Sequence, residues 1–221
     1  MNALITGGRG GLARVLTESL SQAGFDSVLA PGRDELDVCS VESVDTFFAE
    51  QNLDRLDLLV NNAGINADRP LAKMTEQDWD SVIQTNLSGA FRVSRSAFKI
   101  MLKKRCGHIV NIGSFSGVCP PVGQANYAAA KAGLIGFTQA LAEEGGKRGL
   151  RVNCVLPGFL EGTKMTADLP EEVIEQARAR HVLGRLNTVE DAAEFISFLH
   201  VQMGNVSGQV FQLDSRIRRW T

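Results

Sequence analysis

The sequence predicts an α/β fold: a single doubly wound parallel sheet with helices on both faces. Three observations carry that expectation. Short apolar runs alternate along the chain with longer segments of helical pattern. The short runs do not alternate apolar with polar residues, as is expected of strands covered on both faces. A glycine-rich turn joins the first run to the first helical segment, which is the opening unit of a doubly wound sheet.

The elements follow in order. Ala3–Thr6 reads as a strand, Gly11–Ala23 as a helix and Ser27–Ala30 as a second strand. Val41–Glu50 has a helical pattern, and Leu56–Val60 is a continuous apolar run of strand length. Glu76–Lys104 reads as one long helix, Gly107–Ile112 as a strand, Asn126–Lys147 as a helix and Leu150–Val155 as a strand. Glu171–Arg180 and Val189–Val201 read as helices, and Val206–Leu213 closes as a strand. No repeat, low-complexity stretch or linker interrupts the series, so residues 1–221 are expected to form one domain. One segment is irregular. A third parallel strand at Leu36–Val38 would leave a crossover of only about five residues, where a dozen or more are normal. The helix between strands two and three is therefore expected to be missing, and the third strand vestigial or differently routed.

The bulk composition is that of an ordinary globular chain. Of 221 residues, 44% are hydrophobic and 22% charged, and the formal net charge is -2, so nothing draws the whole molecule to nucleic acid or anionic lipid. The basic clusters Lys103-Lys104-Arg105 and Arg216, Arg218, Arg219 are local. Cys39, Cys106, Cys119 and Cys154 form no CxxC pair, which argues against zinc and for reduced thiols. The first residues run straight into an apolar strand without a basic leader, and no apolar run is long enough to span a membrane. A cytoplasmic protein without a membrane partner or a metal is expected.

Three motifs carry chemistry. Thr6-Gly7-Gly8-Arg9-Gly10-Gly11-Leu12-Ala13 lies between the first strand and the first helix. Glycines there let the backbone approach a pyrophosphate, and the helix N-terminus offers free N–H groups, although such turns also serve as plain connections. Asn61-Asn62-Ala63-Gly64 follows the strand Leu56–Val60 and so falls on the same carboxyl edge, where ligands bind in such sheets; alone it would be an Asn-rich turn. The third constellation is the most specific. Ser114 follows a strand, Tyr127 is the only tyrosine in the chain, and Lys131 stands four residues beyond it on the same helix face. A cation there is expected to lower the phenol pKa, so that Tyr127 passes a proton to a carbonyl oxygen held by Ser114. The bare Tyr-Lys spacing is common by chance; the serine and two ligand loops give it meaning.

Together these residues resemble the short-chain dehydrogenase/reductase family, over nearly the whole chain. The resemblance implies a Rossmann-type sheet and a catalytic tetrad of Asn86, Ser114, Tyr127 and Lys131. It implies cofactor contacts at Thr6, Gly7, Gly8, Arg9, Gly11 and Leu12, at Asn62, Ala63 and Gly64, and at Tyr127 and Lys131. Pro157, Gly158 and Leu160 match the family's nicotinamide loop, Thr163 its phosphate ligand, and Asp37-Val38 its adenine contacts. Within the family, Asn61–Asp68, Met74–Phe91, Gly123–Thr138 and Leu183-Gly184-Arg185-Leu186 are most like 3-oxoacyl-[acyl-carrier-protein] reductases. That likeness places carrier-docking arginines at Arg105 and Arg148 and implies a homotetramer, for which Ala128, Ala132, Ile135 and Gln139 offer a small-residue face.

Cofactor choice turns on the residues about twenty positions after the glycines, where an acid would select NAD. Pro31-Gly32-Arg33 stands there, and Arg9 is close by, so NADP is preferred to NAD, with Asp34 and Glu35 weighing against it. The expected reaction is hydride transfer from NADPH to the ketone of a 3-oxoacyl thioester on acyl carrier protein or coenzyme A. Phe159–Leu186 would form a substrate lid. Two other readings compete: a reductase of the same family acting on a sugar, polyol or other alcohol, and a non-catalytic dinucleotide-binding regulator. Ala13 and the atypical end Leu213-Asp214-Ser215-Arg216 would suit the second. His108, His181 and His200 show no partner arrangement.

Overall fold

The computed structural model describes residues 1–163, 166–167 and 170–217. Its strands are β1 (Asn2–Ile5), β2 (Ser27–Leu29), β3 (Leu58–Asn61), β4 (Gly107–Ile112), β5 (Leu150–Leu156) and β6 (Val210–Gln212). Its helices are α1 (Gly11–Gln22), α2 (Val41–Gln51), α3 (Glu76–Ile83), α4 (Gly89–Lys104), α5 (Ala125–Gly146), α6 (Glu171–Ala179) and α7 (Val189–Val201). The strands form one sheet in the order β2-β1-β3-β4-β5-β6, with every neighbouring pair parallel.

The unalternating strands are explained by cover on both sides. Ala3, Ile5, Leu58, Val60, Val110 and Ile112 point to one face, where they pack with Leu12, Leu16 and Leu20 of α1 and Ala192, Ala193 and Ile196 of α7. Leu4, Leu59 and Ile109 point to the other, against Val44 and Phe47 of α2 and Val93, Ala97 and Met101 of α4. The doubly wound reading holds. Helix starts are set by side chains: Ser40 caps α2, and capping boxes Thr75/Asp78 and Thr188/Asp191 open α3 and α7.

The irregular segment resolves as a shortcut. Leu36–Val38 forms no strand, and residues 30–40 hold no helix; the chain leaves β2 through turns and enters α2 directly. Leu36 and Val38 are nevertheless buried, packed with α2 and β3. β2 is consequently the sheet edge.

The helix expected over Glu76–Lys104 is also not uniform. Residues Gln84–Ser88 form a π turn between α3 and α4. An extra residue in a helical turn re-aims the side chains around it, here Asn86. Under α4 and α5 a buried polar chain crosses the sheet. Asn61 Nδ2 donates to Ser94 Oγ (2.8 Å) and Asn111 Oδ1 (2.7 Å), and Asn111 Nδ2 donates to Thr138 Oγ1 (2.9 Å). It ties β3, β4, α4 and α5 to one another.

Two histidines expected to stand alone instead form a pair. His108 on β4 is fully buried and stacks on His200 at the end of α7, with ring planes 14° apart and Nδ1 atoms 3.3 Å apart. The Asn153 amide donates to His108 Nε2, which leaves His108 Nδ1 as the donor to His200. Burial, then the Arg151 guanidinium, push His200 down to about 4 and His108 well below the usual 6.5. The sign follows from linkage: the unfolded chain takes up these protons near 6.5 and the native pair resists. Their contribution to stability should be complete above that pH and lost as pH falls towards about 4. Urea midpoints should therefore fall from pH 7 to pH 5, and fall less in His200→Gln. Equal slopes would rule the pair out as the cause.

Candidate active site

Four loops meet at the carboxyl edge of the sheet: those after β1, β3, β4 and β5. The first two adjoin because β1 pairs with β3. Thr6, buried at the end of β1, fastens them. Its Oγ1 accepts the N–H groups of Asn62 and Ala63, both at 3.0 Å, and Asn62 Nδ2 returns bonds to the carbonyls of Thr6 and Gly7. Gly8 crosses over the end of β2 so closely that a Cβ there would lie 1.8 Å from the Ala30 carbonyl oxygen. No side chain caps α1, and no acid stands in its first turn. The Gly10 N–H closes the turn onto the Gly7 carbonyl, and the N–H groups of Gly11 and Leu12 are left to an anion. Thr163 completes this corner: its Cγ2 lies 3.9 Å from where a Cβ on Gly11 would be.

Lys131 is 4% exposed, and its Nζ donates to the Ile112 carbonyl at 2.7 Å. One turn earlier on α5, the Tyr127 ring has that ammonium 5.5 Å from its centroid. Ser114 follows β4, accepts the Ser116 N–H at its Oγ (3.2 Å), and lies close enough to Tyr127 to act on its phenol. Asn86, re-aimed by the π turn, grips the main chain of Ile65 on both sides: Oδ1 accepts its N–H (2.8 Å) and Nδ2 donates to its carbonyl (2.9 Å). Gly64 fits between, since a Cβ there would stand 3.4 Å from Asn86 Oδ1 and 3.7 Å from Lys131 Nζ. The structure brings all four together.

The electrostatics correct one expectation. Burial pushes the Tyr127 phenol above its usual value; the Ser114 hydroxyl opposes that shift and the Asp68 carboxylate adds to it, so the net direction is upward. Burial also lowers Lys131 to about 8. At neutral pH Tyr127 holds its proton and Lys131 its charge, a state suited to proton donation.

At the other end of the edge the cations and acids pair. Arg9 bonds Asp34, and Arg33 lies 3.3 Å from Asp37. Burial pushes Asp37 up, but the Cys39 N–H and Arg33 outweigh it and hold the carboxyl below its usual value. Val38 is buried beside Gly89. Pro157 and Gly158 follow β5 directly, with the Pro157 carbonyl accepting from Asn187 Nδ2 (3.1 Å). Leu160 is buried and bridges to Asn187. Of the expected lid Phe159–Leu186, residues Lys164, Met165, Asp168 and Leu169 lie outside the described residues, as do Arg218 and Arg219 of the tail.

Arg105 and Arg148 are not at this edge. They precede β4 and β5, at the opposite end of α5 from Tyr127, where Arg105 Nη2 donates to the Lys147 carbonyl. Reasoning from sequence also missed two fasteners. Asn126, fully buried, donates to the carbonyls of Ala67 and Asp78 and so fixes the start of α5. Asp214 and Arg216 reach the site from the end of β6. A lone polar residue directly before Tyr127 was the available signal for the first; nothing but an unusual ending marked the second.

The amino-acid sequence is similar to those of known proteins. Residues 35–174 match the family described as short chain dehydrogenase. The chain is 37% identical over 237 residues to the 3-oxoacyl-[acyl-carrier-protein] reductase FabG of Aquifex aeolicus, covering 96% of this chain and 95% of that protein. It is 41% identical over 213 residues to the protein of the same name from Thermotoga maritima, covering 91% and 86%. With the Escherichia coli protein of that name it shares 40% over 218 residues, covering 89% and 88%. The chain belongs to the short-chain dehydrogenase family of NAD(P)-dependent oxidoreductases.

Proposed function

We propose that the protein reduces the ketone of a 3-oxoacyl thioester, carried on acyl carrier protein or coenzyme A, to the 3-hydroxyacyl product, with NADPH as reductant. The observation that carries this reading is the group of Ser114, Tyr127 and Lys131 on the same edge as two loops clamped by Thr6. The relatives named as 3-oxoacyl-[acyl-carrier-protein] reductases give the substrate class.

The residues fit the cofactor. The uncapped start of α1 would hold the pyrophosphate, Tyr127 and Lys131 the nicotinamide ribose, and Pro157-Gly158 the ring. NADPH supplies the hydride. Ser114 then holds the ketone oxygen, Tyr127 gives it a proton, and the Lys131 charge stabilises the phenolate left behind. Asn86 fixes the loop beside Lys131 through Ile65. Arg9 and Arg33 are 69% and 83% exposed in their side chains and are the groups on hand for a 2′-phosphate.

The basic patch needs a second copy to work. α5 has 22 residues, about 33 Å, so Arg105 and Arg148 lie that far from Tyr127 within one chain. Antiparallel pairing of two α5 helices through Ala132 and Gln139, both exposed, would lay the patch of one copy beside Tyr127 of the other. A tetramer built on that face would dock an acidic carrier there.

Tyr127→Phe should abolish reduction of acetoacetyl thioester while NADPH binding weakens only several-fold, since the proton donor is lost and Lys131 still holds the ribose; near-normal turnover would refute the assignment. Reduction should decline as pH rises through about 8, where Lys131 loses its proton; a kcat profile flat to pH 10 would contradict that role. In fluorescence titrations NADPH should bind more tightly than NADH, and Arg33→Ala should weaken NADPH alone. NADH binding more tightly would sink the preference.

A further inference from the structure

The ends of β4, β5 and β6 lie side by side. Ser114-Phe115 leaves the first, Pro157-Gly158 the second and Asp214–Arg216 the third. Asp214 and Arg216 together bridge from the third to the other two. Arg216 Nε donates to Asp214 Oδ2 at 2.9 Å, and Nη2 reaches the same oxygen. Its guanidinium carbon sits 3.9 Å from the Phe115 ring centroid, in cation–π contact. Gly158 passes against the buried acid: a Cβ there would stand 2.8 Å from Asp214 Cβ.

The strap is anchored from below. The Asp214 side chain is fully buried, and its Oδ1 accepts from Gln212 Nε2 (2.8 Å) and from the Arg216 N–H (3.1 Å). Ser215 accepts the N–H groups of Val182 and Leu183, which end the segment after α6. A buried carboxylate costs several kcal/mol unless it is paired in good geometry. A decaying chain end would not retain one with four donors and an aromatic plate over its partner.

We propose that Arg216 is a positioning residue: held by Asp214 and laid on Phe115, it locks the main chain at Ser114 to the Pro157-Gly158 loop. Phe115 is the residue next to Ser114, so fixing its ring fixes the direction of the Ser114 hydroxyl towards Tyr127. The strap acts after substrate and cofactor have bound. Its loss should lower turnover and leave affinity alone. The inference rests on the ketone reduction proposed above.

The test uses the full-length protein, acetoacetyl thioester and NADPH. Arg216→Met keeps the length of the side chain and removes the charge and donors. Its kcat should fall about tenfold or more, because small misplacements of reacting groups are costly. KM for the thioester and the NADPH Kd should change little; the thermal midpoint should fall, because buried Asp214 loses its charged partner, so kcat is read well below that midpoint. In Arg216→Ala, added methylguanidinium should restore part of kcat and methylammonium should not. Combining Arg216→Met with Phe115→Leu should cost no more than the larger single effect, as coupled neighbours do. A kcat within about twofold of wild type in Arg216→Met, or losses that simply add in the double variant, would overturn the proposal. Wild-type turnover separately tests the reaction: if a different ketone is reduced instead, the thioester reading fails, and the same ratios measured on that ketone still decide the strap.

Discussion

The site depends on one bond, from the buried Lys131 ammonium to the Ile112 carbonyl. An ion with 4% exposure is costly to keep, and burial already weakens its hold on the proton to about 8. That cost is offset only if the carbonyl is in place, so the end of β4 and the face of α5 must meet at one point. Asn111 and Thr138 tie the same strand to the same helix two turns further on. With two ties the helix can neither turn nor slide. Tyr127 is then placed opposite Ser114 by geometry alone.

The remaining loops converge on that fixed pair through side-chain amides. Asn62 and Thr6 lock the first two strand ends, Asn86 holds Ile65, and Asn126 pins Ala67 and Asp78. Each amide both donates and accepts, or donates twice, so it can replace a strand partner for irregular main chain. The π turn is what presents Asn86 for this work. A regular α-helix would carry the same residue at a different angle.

Much of this was legible in the sequence because it is written in local chemistry. Apolar strands such as Leu58–Val60 and Ile109–Ile112 have to be covered on both faces, and glycines mark where the backbone must pass close to something. The tetrad was legible because Tyr127 and Lys131 share a helix face and Ser114 follows a strand. What stayed hidden depends on long-range placement. The π turn leaves no mark on the pattern, since Val82, Asn86 and Ala90 are spaced as any buried stripe would be. The exchange of partners among Arg9, Arg33, Asp34 and Asp37 follows from how the turns after β2 fold. His108 and His200 meet across 92 residues, and the upward shift of Tyr127 comes from burial that only the assembled fold imposes.

The pairing of α1 with α7 on one face of the sheet has a consequence for the growing chain. Leu12, Leu16 and Leu20 emerge from the ribosome early, but Ala192, Ala193 and Ile196, which cover them, come near the end. At about 5–20 residues per second, the first helix waits roughly ten to forty seconds for its cover. During that interval it carries an open apolar stripe beside the unfinished sheet. A chaperone that grips nascent apolar segments would have its longest opportunity there, and an interrupted translation product would be left with that stripe exposed.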